Sequence, residues 1–479
     1  AWATECEWDH SPTGKAEPPM PWFERVRGAT RRACRPAIFR PVLLACCLAL
    51  GRVACADSGG SGVGSQGAEV ELVGDAMSRR ESGNGITLSV TRDALLRPTA
   101  WTHEDAQQAL RAGFEYAFDA LGQKKYAKRV HDGEGDAFDH DGLGQLVGVK
   151  TGVPGQDLSP TSGYGDYTTF DHERTYEFDP AGNRKVVETD GTTAEYYNHV
   201  SGVYVPDVLN RVTKLDATNR VHDASGNLTD DGTRLYSYNW RNQLMRVRRK
   251  SDGQLLAHYE YDAQGLRVQS WDVDEQGQEW AYHNYLVDPE TAQVLAEGTG
   301  TTLIERSYVY GNGIDEVVSY DRTVGETTSR YYLHEDALGS VVLVTDAAGA
   351  NVEKYEYTEY GLPTVYVWDP QGGGGQGAWG AGVVAGASSV GNTRMFTGRE
   401  WDAEIGLYYY RARHYDPRTG RFVSPDPIGS RGDSLGNVFR YAWNSPVRFA
   451  DPMGLDIMDG IIEGAVGLIT GVAITVAIV

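Results

Sequence analysis

A mainly β fold is predicted by this sequence, a spiral of stacked hairpins with a short N-terminal helical segment, and three observations point to it. The first is the aromatic balance: 28 Tyr stand against 11 Phe and 11 Trp, with 58 Gly. Tyr suits strands and Gly suits tight turns, so the mixture reads as many short strands rather than a helical bundle. The second is a recurring unit of aromatic residue, acid, two spacers and Gly. It appears at Phe178-Asp-Pro-Ala-Gly182, His222-Asp-Ala-Ser-Gly226 and Tyr261-Asp-Ala-Gln-Gly265, with a degenerate copy at Tyr238-Asn-Trp-Arg-Asn242. The third is the alternating run before such units, as in residues 234–238 and 257–261. A short strand offers Tyr or Leu to one side, the turn reverses the chain, and the next strand pairs back. One hairpin cannot bury its own apolar face, so the unit must recur and stack. The acid before the turn can accept from amides two residues on.

At 479 residues and 41% hydrophobic content the chain is long enough for a sizeable core. Its formal charge of −22 argues against a nucleic-acid-binding surface and suits solubility in an exported protein. Cys6, Cys34, Cys46, Cys47 and Cys55 all precede residue 56, so the main body has neither a disulfide framework nor a Cys metal site. Residues 1–56 read as an export region. The stretch 25–40 carries six Arg and no acid, 41–50 is apolar, and Ala54-Cys55-Ala56 matches a small-x-small cleavage pattern. Met20 makes a sensible start. Cys46 or Cys55 is an alternative lipidation site. Either way the expected location is extracellular or at the cell surface.

Residues 57–165 read as a Gly/Ser linker (57–66) and then a helical segment. Thr102 and Asp105 resemble a capping box, and Ala106, Leu110, Phe114, Ala117, Phe118 and Leu121 share one helical face, with an end near Gly122 or within 124–128. Residues 132–142 read as a solvated acidic loop. Its spacing misses the EF-hand pattern, because Ala137 stands at the turn-glycine position and no Glu closes the loop. No cofactor or metal is implied. Residues 166–370 form the β-repeat region, 371–391 a Gly-rich insert, 392–455 a distinct core segment, and 456–479 a C-terminal tail.

The repeat units look like YD repeats, and the chain resembles the RHS family, related to teneurin YD shells and insecticidal toxin-complex C proteins. Tyr332-Leu-His-Glu-Asp-Ala-Leu-Gly-Ser340 and residues 355–361 continue the likeness. Residues 394–402, 406–429 and 437–446, with Asp451-Pro-Met-Gly-Leu455, are similar to a near-complete RHS-associated core. The resemblance spans roughly residues 166–455.

It implies autoproteolysis between Leu455 and Asp456, with Asp426, Asp451 and Arg413 as the apparatus, in a protein that is an enzyme only on itself. The chemistry is coherent. Two close carboxylates can share one proton, so one serves as base and the other as acid, while an Arg orients and charges one of them. Both aspartates precede Pro, which biases them to extended backbone. The plainer reading makes both aspartates turn formers and Arg413 a stacking partner for an aromatic ring. His414 alternates to the opposite strand face from Arg413. Beyond Leu455, the resemblance implies a variable effector or toxin region used in intercellular competition, and the apolar run 464–479 reads either as a truncated part of it or as a small membrane-active or hydrophobic piece. The implied partners are the chain's own C-terminal segment and a second shell-forming chain or a secretion apparatus, since about 200 residues of repeat are few to close a chamber. The competing function is a surface adhesion module whose strands bind cell-surface glycans and whose Asp pair is structural.

Overall fold

Side chains that alternate between a buried and an exposed face along short strands build the whole array. The computed structural model describes residues 76–274, 276–300, 304–372, 378–429 and 436–455, with backbone alone for strands at 52–54, 69–73 and 458–459. The export region apart from 52–54, the 57–66 linker, Asp456 and the apolar run from 464 lie outside the described residues. Two large antiparallel sheets dominate. One has 12 strands in sequence order, from Arg52–Ala54 to Thr192–Tyr196, and the other has 16, from Val221–His222 onward. The mainly β reading therefore holds.

The turns explain the repeat. At Asp262, Oδ1 accepts from the Gln264 amide at 2.8 Å and the Leu266 amide at 2.9 Å, and Gly265 takes a φ of 94° that a side chain would resist. The same pair of bonds recurs at Asp179, Asp223 and Asn239. The preference for Tyr over Phe has a physical cause as well. The hydroxyls of Tyr238, Tyr261, Tyr310 and Tyr357 donate to the carbonyls of Leu228, Leu244, Val294 and Val341 at 2.6–2.9 Å, tying each hairpin to an earlier one. Each such bond contributes about 0.5–1.5 kcal/mol net, which Phe would forgo.

The expected helix after Thr102 is not there. Pro98–Glu104, Leu110–Phe118 and Lys124–Arg129 are consecutive strands. Asp105 is the head of another repeat turn, accepting from Gln107 and Ala109 at 2.9 Å, and Gln108 occupies the left-handed position with φ 62°. Asp93 does the same with Leu96 at φ 64°. The array therefore begins well upstream of residue 166: no Gly marks the turns at Asp93 and Asp105, while Asp119 and Asp141 make the same pair of bonds with Gly122 and Gly144 in the left-handed position, an aromatic-acid-x-x-Gly cue masked by the helical period. The acidic stretch is likewise a strand, Glu134–His140, not a loop. Two short strands of the Gly-rich insert, Ala378–Trp379 and Val383–Val384, pair with Pro363–Asp369.

The core segment packs as a hub. Its Phe396, Tyr408, Tyr410 and Tyr441 join Tyr308, Leu333 and Val341 of the second sheet, and its Val447 joins Phe138 and Leu146 of the first. The two sheets also meet directly. Trp101 Nε1 and His103 Nε2 both approach the Glu335 carbonyl, at 2.7 and 2.8 Å, and Asn84 donates to Thr345 Oγ1 at 2.8 Å.

Candidate active site

The strands Leu407–Tyr410 and Arg413–Asp416 form a hairpin whose two-residue tip is Arg411-Ala412, with Tyr410 opposite Arg413. Buried rings floor it: Tyr410, Tyr415, Phe422 and Tyr441 all contact one another, at centroid separations of 4.3–5.9 Å. Against this floor Arg413 has one place to go. Its guanidinium lies 3.6 Å from the Phe422 ring centre, so the stacking expected of it is present.

Stacking is only part of its role. Arg413 Nη2 lies 3.2 Å from Asp426 Oδ2 and 3.3 Å from Asp451 Oδ2. One nitrogen thus touches both carboxylates, which are at most two ion-pair lengths apart although 25 positions separate them in the chain. The side chains of Arg413, Asp426 and Asp451 are only 3%, 11% and 4% exposed. The turn-former reading is also satisfied, by the other oxygens. Asp426 Oδ1 accepts from the Ile428 amide at 2.9 Å, and Asp451 Oδ1 from the Leu455 amide at 3.0 Å. Each aspartate spends one oxygen on its turn and presents the other to Arg413. Burial is the main influence on Arg413 and lowers its pKa, while Asp451 and then Asp426 pull it back up.

The segment 451–455 is strapped along the hairpin tip. The Met453 carbonyl accepts from the Ala412 amide at 3.3 Å, and the Gly454 carbonyl from Arg413 Nε at 2.5 Å. Gly454 is required here: its φ is 65°, and a Cβ would overlap the Tyr410 carbonyl oxygen. The backbone is therefore fixed up to the residue before the Leu455–Asp456 link. His414 points the other way, stacking on Tyr259 at 5.4 Å. Burial takes its pKa down to about 3, so it stays neutral.

Comparison with known proteins agrees with this architecture. The Teneurin YD-shell family model matches residues 166–365. The toxin subunit YenC2 of Yersinia entomophaga is 24% identical over 435 residues, covering 80% of this chain and 42% of that protein. The tRNA3(Ser)-specific nuclease WapA of Bacillus spizizenii is 32% identical over 283 residues, 58% of this chain. A TcdB2-TccC3-Cdc42 crystal structure matches 81% of this chain with a TM-score of 0.56 at 20% identity, a likeness of fold. This is an RHS/YD-repeat protein. The RHS chain spans 11% of the WapA length and 19% of the TcdB2-TccC3-Cdc42 chain.

All three residues marked from the RHS core, Arg413, Asp426 and Asp451, come together, and Leu455 lies beside them; Asp456 is outside the described residues. Arg399 and Arg411, not singled out from the sequence, also reach the strapped segment at the Pro452 carbonyl, and Asp315, likewise missed, holds both of them. A signal existed for two of them. Four arginines, Arg394, Arg399, Arg411 and Arg413, lie among aromatic strands, and buried arginines need acids. Nothing local pointed to Asp315.

Proposed function

We propose that this RHS core cuts its own backbone between Leu455 and Asp456 and so releases a C-terminal effector segment from the shell. The observation that carries the reading is the meeting of one buried and one largely buried carboxylate on one guanidinium, beside a backbone strapped in place up to Leu455. One carboxylate of the pair takes a proton from water as its oxygen attacks the Leu455 carbonyl carbon. The other, protonated, gives its proton to the Asp456 nitrogen as the C–N bond breaks. The products are a chain ending at Leu455 and a free amine at Asp456. The pair shares its protons as a unit, so the two roles belong to the dyad and not to one fixed residue.

Export is part of this proposal and rests on the pattern at residues 25–56. A partner subunit is another part. Solved neighbours contain TcdB2 and TccC3 together, which supports pairing with a further toxin subunit that extends the shell.

The test is expression of the full chain with a different tag at each end. Two tagged pieces separated at residue 455 are expected, and a single piece for Asp426→Asn. An uncut wild-type chain with native strand content refutes the proposal. Gly454→Ala probes the strap. Forcing a side chain into the left-handed region costs about 1–2 kcal/mol before the overlap with Tyr410 is added. A shift of the segment of about 1 Å is expected to slow cutting on the order of 100-fold, measured by fragment appearance after dilution from urea.

A further inference from the structure

Three successive carbonyls of the strapped segment are held, and the first of them, that of Pro452, is held by groups outside the triad. Arg399 Nη1 donates to it at 2.9 Å and Arg411 Nη1 at 2.5 Å. Two guanidiniums converging on one buried oxygen repel each other, and a carboxylate from elsewhere makes the arrangement tenable. Asp315 Oδ2 accepts from Arg399 Nη1 at 2.5 Å and from Arg411 Nη1 at 2.9 Å, and its Oδ1 accepts from Arg411 Nη2 at 2.5 Å. The side chains are 8% exposed for Asp315 and 4% for each arginine.

Asp315 does not belong to the core segment. It sits between the strands Arg306–Tyr310 and Val317–Val324 of the second sheet, 84 and 96 residues before the arginines it holds. The local backbone is built around this junction. Asp315 and Arg411 adopt φ of 63° and 54°, and a Cβ on Gly398 would sit 2.9 Å from the Asp315 carbonyl oxygen. Non-glycine residues stay in that region only where their surroundings over-determine them. Burial disfavours the Asp315 charge, but Arg399 and Arg411 outweigh it and hold the carboxyl below its ordinary range.

We propose that Asp315, Arg399 and Arg411 form a positioning clamp that sets the 451–455 segment for scission, so that cutting waits until the repeat sheet has docked onto the core. The clamp's consequence rests on the self-cleavage reading. The clamp grips a backbone carbonyl adjacent to Asp451, so releasing it frees the residue whose Oδ2 meets Arg413. Through Asp315, folding of strands far upstream becomes a condition for a complete site, and a chain whose shell is unfinished stays whole.

The test uses the full chain, purified in urea and refolded by dilution. Asp315→Asn, equal in size but uncharged, is expected to cut on the order of 100-fold more slowly than wild type, and Arg399→Lys roughly tenfold more slowly. Both should keep the wild-type circular dichroism. Amide exchange is measured in the uncut Asp426→Asn background, where adding Asp315→Asn is expected to speed exchange at Leu455 and Ala412 selectively. That local loosening separates positioning from general support, which would lower the urea midpoint without singling out those amides. Cutting within twofold of wild type in either folded variant overturns the clamp. Should Asp315→Asn fail to fold, Arg399→Lys decides, both in cutting rate and in exchange. If wild type itself stays whole, the self-cleavage reading falls, and unchanged exchange at Leu455 and Ala412 would then overturn the clamp as well.

Discussion

Asp426→Asn and Asp451→Asn each leave the refolded chain uncut on the time scale on which wild type is consumed, a slowing of about 10²–10⁴-fold. The amide keeps the shape of the carboxyl and still accepts at the turn, from Ile428 in one case and Leu455 in the other. What it cannot do is exchange a proton. On the proposed mechanism the two carboxyls work through a shared proton, so the double variant is expected to be no slower than either single one, since residues that act as a unit are far from additive. Fold and chemistry are separable here. Arg413 keeps one charged partner in each single variant, so native circular dichroism is expected alongside the lost activity. Fragment yield by mass spectrometry, with urea midpoints measured in parallel, checks both halves. Full cutting by Asp451→Asn would remove the dyad from the mechanism.

The fold itself loses stability in mild acid. His103 and His334 face each other across the junction of the two sheets, with ring centres 5.1 Å apart, and each is 1% exposed. Burial pushes the His103 pKa down to about 4 and that of His334 well below the usual value; Arg80 and His131 press on the first, and His103, Arg80 and Arg111 on the second. The folded-state pKa lies below the unfolded value of about 6.5, so the unfolded chain takes up the proton first. Stability is intact above about pH 6.5 and is lost as pH falls towards the folded-state pKa, at up to about 1.4 kcal/mol per pH unit for each such histidine. His140 and His222, both lowered to about 4, act in the same direction. Asp136 and Asp336, raised by burial, act the other way and offset part of the slope. A subtraction isolates the junction. His103→Gln keeps an N–H for the Glu335 carbonyl but has no titrating ring. Urea melts near neutrality and near pH 5 are expected to show the variant losing about 2 kcal/mol less than wild type over that interval. Parallel losses in the two proteins would contradict the assignment.

How far the sequence could be read depended on whether its cues were local. Asp179, Asp223 and Asp262 announced their turns because Gly followed at the left-handed position, and Gly182, Gly226 and Gly265 do adopt φ of 73°, 93° and 94°. Asp93 and Asp105 make the same turns with Leu96 and Gln108 in that place. Their strands then looked helical, because Leu110, Phe114, Ala117, Phe118 and Leu121 also fit a 3.6-residue period. In the sheet, Phe114 and Tyr116 pack with Leu88 and Trp101 instead. Tertiary pairing decided between two periods that the sequence left open. At the site, Asp-Pro-x-Gly-Leu and the arginine before it were legible as a motif, and their convergence follows from one hairpin and one strap. Asp315 was not legible, since a carboxylate in a loop between ordinary repeat strands carries no local mark of its partners 84 and 96 residues away.

On the proposed mechanism water, activated by the paired carboxyls, opens the link after Leu455. That step is tested most directly by refolding the urea-denatured chain in water enriched in oxygen-18 and identifying the new C-terminus by mass spectrometry. Hydrolysis by the dyad predicts a fragment ending at Leu455 with a single heavy oxygen in its terminal carboxyl group, together with a complementary piece beginning at Asp456. An uncut chain, or a cut placed instead at the acid-labile Asp451–Pro452 bond, would contradict it.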